Sequence, residues 1–129
     1  MPPSNVVDSS GWLEYLADGP EADRFAEPLS QPQALIVPSL SVYEVFKRVL
    51  QQRDETAALQ AAALMQQGRV IDLDSGLAIV AAKLAVDHRL PMADAVILAT
   101  ARRFGAVLWT LDADFEGIPG TRYFRRKRP

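Results

Sequence analysis

The stretch Leu90-Pro91-Met92-Ala93-Asp94-Ala95-Val96-Ile97-Leu98-Ala99-Thr100-Ala101 constrains the rest of the chain. From Ala93 it reads as a helix that is apolar on every side, and such a helix must be buried. Pro91 suits a helix entry and Gly105 a helix exit. Arg102 and Arg103 fall in the last turn, where the helix dipole favours cations. Asp94 sits near the N-terminus of the run. Taken alone, it suits an N-cap. A buried carboxylate without a partner, however, costs several kcal/mol or takes up a proton. The sharper reading is a cation that Asp94 shares with acids from elsewhere in the chain.

A chain of 129 residues fits one domain, 1–129, with a core large enough to enclose such a helix. Its apolar share of 49% and charged share of 23% belong to a soluble globular protein. The formal net charge of −2 argues against a general nucleic-acid coat protein. The charge is unevenly placed, because the tail 125–129 carries Arg125, Arg126, Lys127 and Arg128. That tail is either a solvated terminus or a handle for phosphates. The absence of cysteine excludes disulfides, thiolate catalysis and zinc–thiolate sites. No segment has the length and apolarity of a membrane span, and the N-terminus lacks the pattern of a signal peptide, so a cytoplasmic protein is expected.

In chain order, residues 5–7 read as a buried strand ending at Asp8. Ser9 or Ser10 then caps a helix whose inner face carries Trp12, Leu13 and Leu16. Gly19-Pro20 breaks it, and a helix over 21–29 follows, closed by Pro28 and Pro32. Residues 34–37 form a second strand, stopped by Pro38. The next helix starts at Ser39 or Ser41 and carries a wide apolar arc from Val42 to Leu50, with Glu44 pointing away from it. That places Glu44 on a solvated face or in a water-filled cleft. Residues 56–67 are helical and end at Gly68; 69–73 form a strand; Asp74 or Ser75 caps another helix, with His88 at its end. After the apolar helix come a buried strand at 106–110, a loop with Gly117, Pro119 and Gly120, and an edge strand at 121–124. Trp12 and Trp109 read as core. Strands alternating with helices predict an α/β fold, a central, mostly parallel sheet with helices on both faces.

In open α/β sheets, sites gather outside the carboxyl ends of the strands. Asp8 ends one strand and Asp112 lies just past another, while Asp94 and Glu44 lie near helix starts at the same rim. Four acids cannot crowd together ionised without compensation. An all-oxygen donor set selects Mg²⁺ or Mn²⁺, with a substrate phosphate as the usual further partner. Such a centre can activate a water and stabilise the departing oxygen of a phosphodiester.

The motifs Val7-Asp8-Ser9-Ser10, Ser41-Val42-Tyr43-Glu44, Leu90-Pro91-Met92-Ala93-Asp94-Ala95 and Thr110-Leu111-Asp112-Ala113-Asp114-Phe115, in that order, resemble the PIN domain. In size and motif wording the chain is similar to the VapC-type toxins of bacterial toxin–antitoxin pairs. The resemblance runs from about Val6 to the C-terminus. It implies a single PIN-like domain acting as a Mg²⁺- or Mn²⁺-dependent endoribonuclease. Asp8 and Asp94 would be direct metal ligands, and Asp112 would complete the site or hold a second ion. Glu44 would position or deprotonate the attacking water, with Ser9 and Thr110 as hydrogen-bonding supports. Asp114 matches the motif's second acid, as a further site residue or as a brace for the loop over Phe115. Arg102, Arg103, Arg125 and Arg126 become candidates for RNA phosphates. The resemblance also implies a homodimer and a VapB-like antitoxin whose C-terminal segment blocks the acidic cleft. The Val42–Leu50 arc would be either a seat for a partner helix or plain core. The alternative is a catalytically weak module of the same fold that binds RNA or protein. A Gly-rich phosphate loop, which an NTPase would need, is absent from the sequence.

Overall fold

Residues 4–126 are described in a computed structural model of the chain. The tail residues Lys127 and Arg128 lie outside them. The elements are β1 (Asn5–Val7), α1 (Ser9–Leu16), α2 (Ala22–Leu29), β2 (Ile36–Pro38), α3 (Ser39–Gln52), α4 (Glu55–Met65), β3 (Arg69–Ile71), α5 (Ser75–His88), α6 (Met92–Arg103), β4 (Val107–Thr110) and β5 (Thr121–Tyr123). Every strand pairing is parallel. β4 lies between β1 and β5, β2 pairs with β3, and one bridge from Asn5 to Leu35 joins the two groups. The expected α/β fold with a parallel sheet is the one observed.

Side chains alternate across a strand, and here both faces are buried. Val6 and Leu108 face the layer of α5 and α6, with Leu77, Leu84 and Ile97. Their neighbours Val7 and Trp109 face the opposite layer, with Trp12, Phe25, Val45 and Met65. Trp12 and Trp109 are core residues, as expected. Helix α6 fills the centre: Ala95 through Ala101 are all buried. Thr100, a polar residue in that run, satisfies its hydroxyl by donating to the carbonyl of Val96 at 2.8 Å. Gly105 follows the helix at a φ of +60°, a left-handed conformation that favours glycine.

Several local expectations shift. The cap of α1 is Asp8 rather than Ser9 or Ser10, because its carboxylate reaches the N–H of Gly11. Asp94 is not a cap: Pro91 holds that position and Asp94 is the third residue of α6. Ala34 closes a 3-10 turn, and the strand runs on to include Pro38. Pro28 lies inside the last turn of α2. In the Val42–Leu50 arc, Val42, Val45 and Val49 pack into the core, and Tyr43 and Leu50 stay exposed. Among the described residues, no helix is long and apolar enough to cross a membrane.

Candidate metal centre

The site is built where β1 and β4 end side by side. Asp8 N–H donates to the carbonyl of Trp109 at 3.1 Å, which carries the β1–β4 pairing one step past β1. The chain then turns into α1, and the Asp8 side chain is left beneath the rim, only 2% exposed. Three donors converge on it. Gly11 N–H and the Ser10 hydroxyl reach Oδ1 at 3.1 and 2.7 Å, and the Thr110 hydroxyl reaches Oδ2 at 2.7 Å. Burial pushes the Asp8 carboxyl up to about 6; these three hydrogen bonds pull the other way, and the charge of Asp112 adds to the rise.

The two hydroxyls that serve Asp8 also hold the loop after β4. Thr110 Oγ1 accepts from Asp112 N–H at 2.8 Å, and Ser10 Oγ accepts from Leu111 N–H at 3.0 Å. Each hydroxyl therefore ties Asp8 to the segment that carries Asp112. In the sequence, Ser10 stands only as a candidate helix cap and not as a site residue. Its signal was present: a second hydroxyl residue two positions beyond the strand-end acid can fold back onto that acid.

Asp112 caps a short turn, Ala113–Phe115, by accepting from Asp114 N–H at 2.9 Å. Phe115 is fully buried and anchors that turn. Asp94 arrives from the other direction. Helices α5 and α6 fold back on each other, with Arg103 at the end of α6 paired to the α5 cap Asp74 at 3.1 Å. The first turn of α6 is thereby brought to the rim. One carboxylate oxygen from each of Asp94, Asp112 and Asp114 lies within 4.8 Å of the others. Burial, then the charges of Asp112, Asp8 and Asp114 and a contact with the Asp112 carboxyl, push Asp94 up to about 8. Asp94, half-buried among other carboxylates, resists ionisation because the cluster lacks positive charge. Its all-oxygen donors fit a hard divalent cation.

The tight trio thus contains Asp114, with Asp8 beside it in electrostatic range. Glu44 stands apart, half-buried, accepting from the Ser9 hydroxyl at 2.6 Å. Arg125 and Arg126 flank the centre: with Ser10 and Asp112 they line a hollow of about 490 Å³. Arg102 and Arg103 do not come to it. They lie at the far end of α6, about 12–14 Å along the axis from Asp94. There Arg102 donates to the Pro119 carbonyl at 3.3 Å and Arg103 pairs with Asp74. The Leu77 N–H and Arg103 hold the Asp74 carboxyl below its ordinary range, so this cation is engaged in structure.

The profile of the PIN domain family matches residues 6–120 of the chain. Among solved structures, the fold is similar to that of a toxin–antitoxin complex from Klebsiella pneumoniae, at 24% identity and a TM-score of 0.78, covering 92% of this chain and 96% of that one. It is also similar to VapC20 from Mycobacterium tuberculosis, a toxin that cleaves the sarcin–ricin loop, at 21% identity and a TM-score of 0.76, covering 91% and 96%. A DNA-bound VapBC complex from Salmonella typhimurium gives 20% identity and a TM-score of 0.72, covering 95% and 98%. At these identities the likeness is one of fold. No curated protein matches the chain.

Proposed function

The chain belongs to the PIN domain family, and we propose that it is a cytoplasmic endoribonuclease that hydrolyses RNA phosphodiester bonds with Mg²⁺ or Mn²⁺, a toxin silenced by a VapB-like antitoxin. The observation that carries this reading is the cluster of Asp94, Asp112 and Asp114 with Asp8 buried beside it. Four acids from three remote segments meet there, and two of them are pushed well above the ordinary carboxylate range. Asp8, Asp94 and Asp112 would hold the ion, with Asp114 as a further oxygen donor. A divalent ion bound there supplies a lowered pKa for a bound water and charge to offset the departing oxygen.

The remaining work falls to the chain itself. Thr110 and Ser10 fix the orientation of Asp8 and the start of the Asp112 loop together. Ser9 holds one oxygen of Glu44. The second Glu44 oxygen is left to orient the attacking water or take its proton as the water adds to phosphorus. Arg125 and Arg126, beside Asp112, suit the charge of the phosphate being cut.

Partners belong to the same proposal. The toxin–antitoxin complexes of similar fold support an antitoxin. A homodimer is supported by Ile79 and Val86, two turns apart on one face of α5 and 65% and 80% exposed.

The test is cleavage of single-stranded RNA by the purified chain. We expect products that require Mg²⁺ or Mn²⁺, vanish with EDTA and vanish in Asp94→Asn. Cleavage that survives either treatment rejects the proposed centre. A wild-type chain that binds RNA without cutting it would support the weakly catalytic binding module instead.

A further inference from the structure

A groove of about 620 Å³ runs between α1 and α3, beside the acid cluster. Residues four apart share a helix face, and the α3 wall presents two such stripes: Tyr43, Lys47 and Gln51, then Glu44, Arg48 and Gln52. The groove shares Ser10 and Arg126 with the hollow that contains Asp112. The two make one path from the end of α3 to the centre, with cations along its length.

The two glutamates of the groove each have a donor. Glu14 accepts from Glu21 N–H at 2.8 Å and faces Arg126 at 3.6 Å, and Glu44 is held by Ser9. Lys47 and Arg48 are exposed and, among the described residues, pair with no acid. Tyr43 is 59% exposed on this polar face, with the Lys47 ammonium 5.8 Å from its ring centre. Cations for phosphates beside an aromatic face for a base are the components of a single-strand nucleic-acid site.

We propose that this groove holds the single-stranded RNA segment to one side of the bond being cut, with Lys47 and Arg48 on its backbone phosphates and Tyr43 stacked against a base. The proposal rests on the reading of the acid cluster as an RNA-cleaving centre. It gives the strand a path of approach to that centre, over α3 and past Arg126. Lys47 and Arg48 set affinity through charge, which carries no sequence information. Tyr43 sets the register of the strand.

The experiment is fluorescence anisotropy of a labelled single-stranded oligoribonucleotide with full-length protein in the Asp94→Asn background, across a salt series. Lys47→Ala/Arg48→Ala is expected to weaken binding about tenfold or more at low salt and to flatten the log–log salt slope by about 1.4, two phosphates' worth. Tyr43→Ala is expected to cost about tenfold with the slope unchanged, and Tyr43→Phe to restore affinity. All three side chains are exposed, and thermal melts confirm folding. Should the double variant unfold, Lys47→Gln and Arg48→Gln singly give the same reading at half the slope change. Unchanged affinity and slope in folded variants overturn the proposal, as does loss of a protein partner's binding with RNA binding intact. Wild-type protein is assayed for metal-dependent cleavage in parallel. No cleavage with groove-dependent binding rejects the centre and keeps the groove, whereas cleavage with groove-independent binding rejects the groove alone.

Discussion

Asp8 and Asp94 are both withdrawn from water, but they are built differently. Asp8 receives three hydrogen-bond donors, all of which favour its anion. Asp94 has other acids as its company. Asp8 is therefore fixed in place by its donors, whereas Asp94 has only acidic neighbours and depends on a cation to offset them. Asp94→Asn is expected to leave the fold intact and to abolish metal-dependent cleavage and growth toxicity. Cleavage at the wild-type rate in that variant would remove Asp94 from the centre. Asp112→Asn is expected to weaken Mn²⁺ binding more than Asp72→Asn does, since Asp112 belongs to the trio and Asp72 lies outside it. Equal losses in a Mn²⁺ titration would count against the assignment. These acids were visible in the sequence as strand-end and helix-start residues. Which of them share one oxygen cluster was not, because a turn three residues long decides it. Asp114 N–H bonds back to Asp112, which folds the Asp114 carboxylate over the same spot.

The elements were legible where a local signal matched the tertiary demand. Of the two caps that the sequence offers for α5, Asp74 and Ser75, Asp74 takes the position, accepting from Leu77 N–H at 2.8 Å. Legibility failed where packing or topology overrode the local signal. Ser9 and Ser10 are good caps by type, but Ser9 turns to Glu44 and Ser10 to Asp8, and Asp8 does the capping. The wheel of α3 gave Glu44 a polar face. Only the approach of α1 made that face the wall of a groove rather than open surface. Gly11 shows how close the approach of α1 to its neighbours is. A Cβ there would lie 2.6 Å from both the Phe25 ring and Val7. In an exposed helix Gly→Ala stabilises by about 1 kcal/mol. Here Gly11→Ala is expected to destabilise by about 1–3 kcal/mol through overpacking. It should also reduce cleavage, because α1 carries the donors to Asp8. A raised denaturation midpoint in urea would show that α1 has room to move.

For the whole molecule, the acid cluster links folding to pH and to metal. Asp94 titrates near 8 in the folded chain against an ordinary 3.8, and Asp8 near 6 against the same reference. Between those limits the folded state holds protons that the unfolded state has released. The metal-free protein is therefore expected to lose stability as pH rises from about 4 through about 8, most of it by pH 8. A surface acid in a salt bridge gives the opposite slope. Asp8, which is buried, accounts for about 3 kcal/mol over its part of the range, and Asp94 adds a share that solvent screening reduces because it is only half-buried. A divalent ion replaces the protons, so its affinity should rise with pH across the same window. At pH 8, Mn²⁺ at a hundred times its dissociation constant should stabilise the fold by about 2.7 kcal/mol, or about 10 °C in melting temperature. At pH 5 the same addition should do little, because both acids keep their protons. Asp94→Asn removes the ionisable group without removing its shape. It should flatten the metal-free pH profile and weaken the Mn²⁺ response together. Melting curves of the two proteins at pH 5 and pH 8, with and without Mn²⁺, decide the matter. A wild-type profile that rises with pH, or a Mn²⁺ shift equal at both pH values, would separate the cluster from the metal.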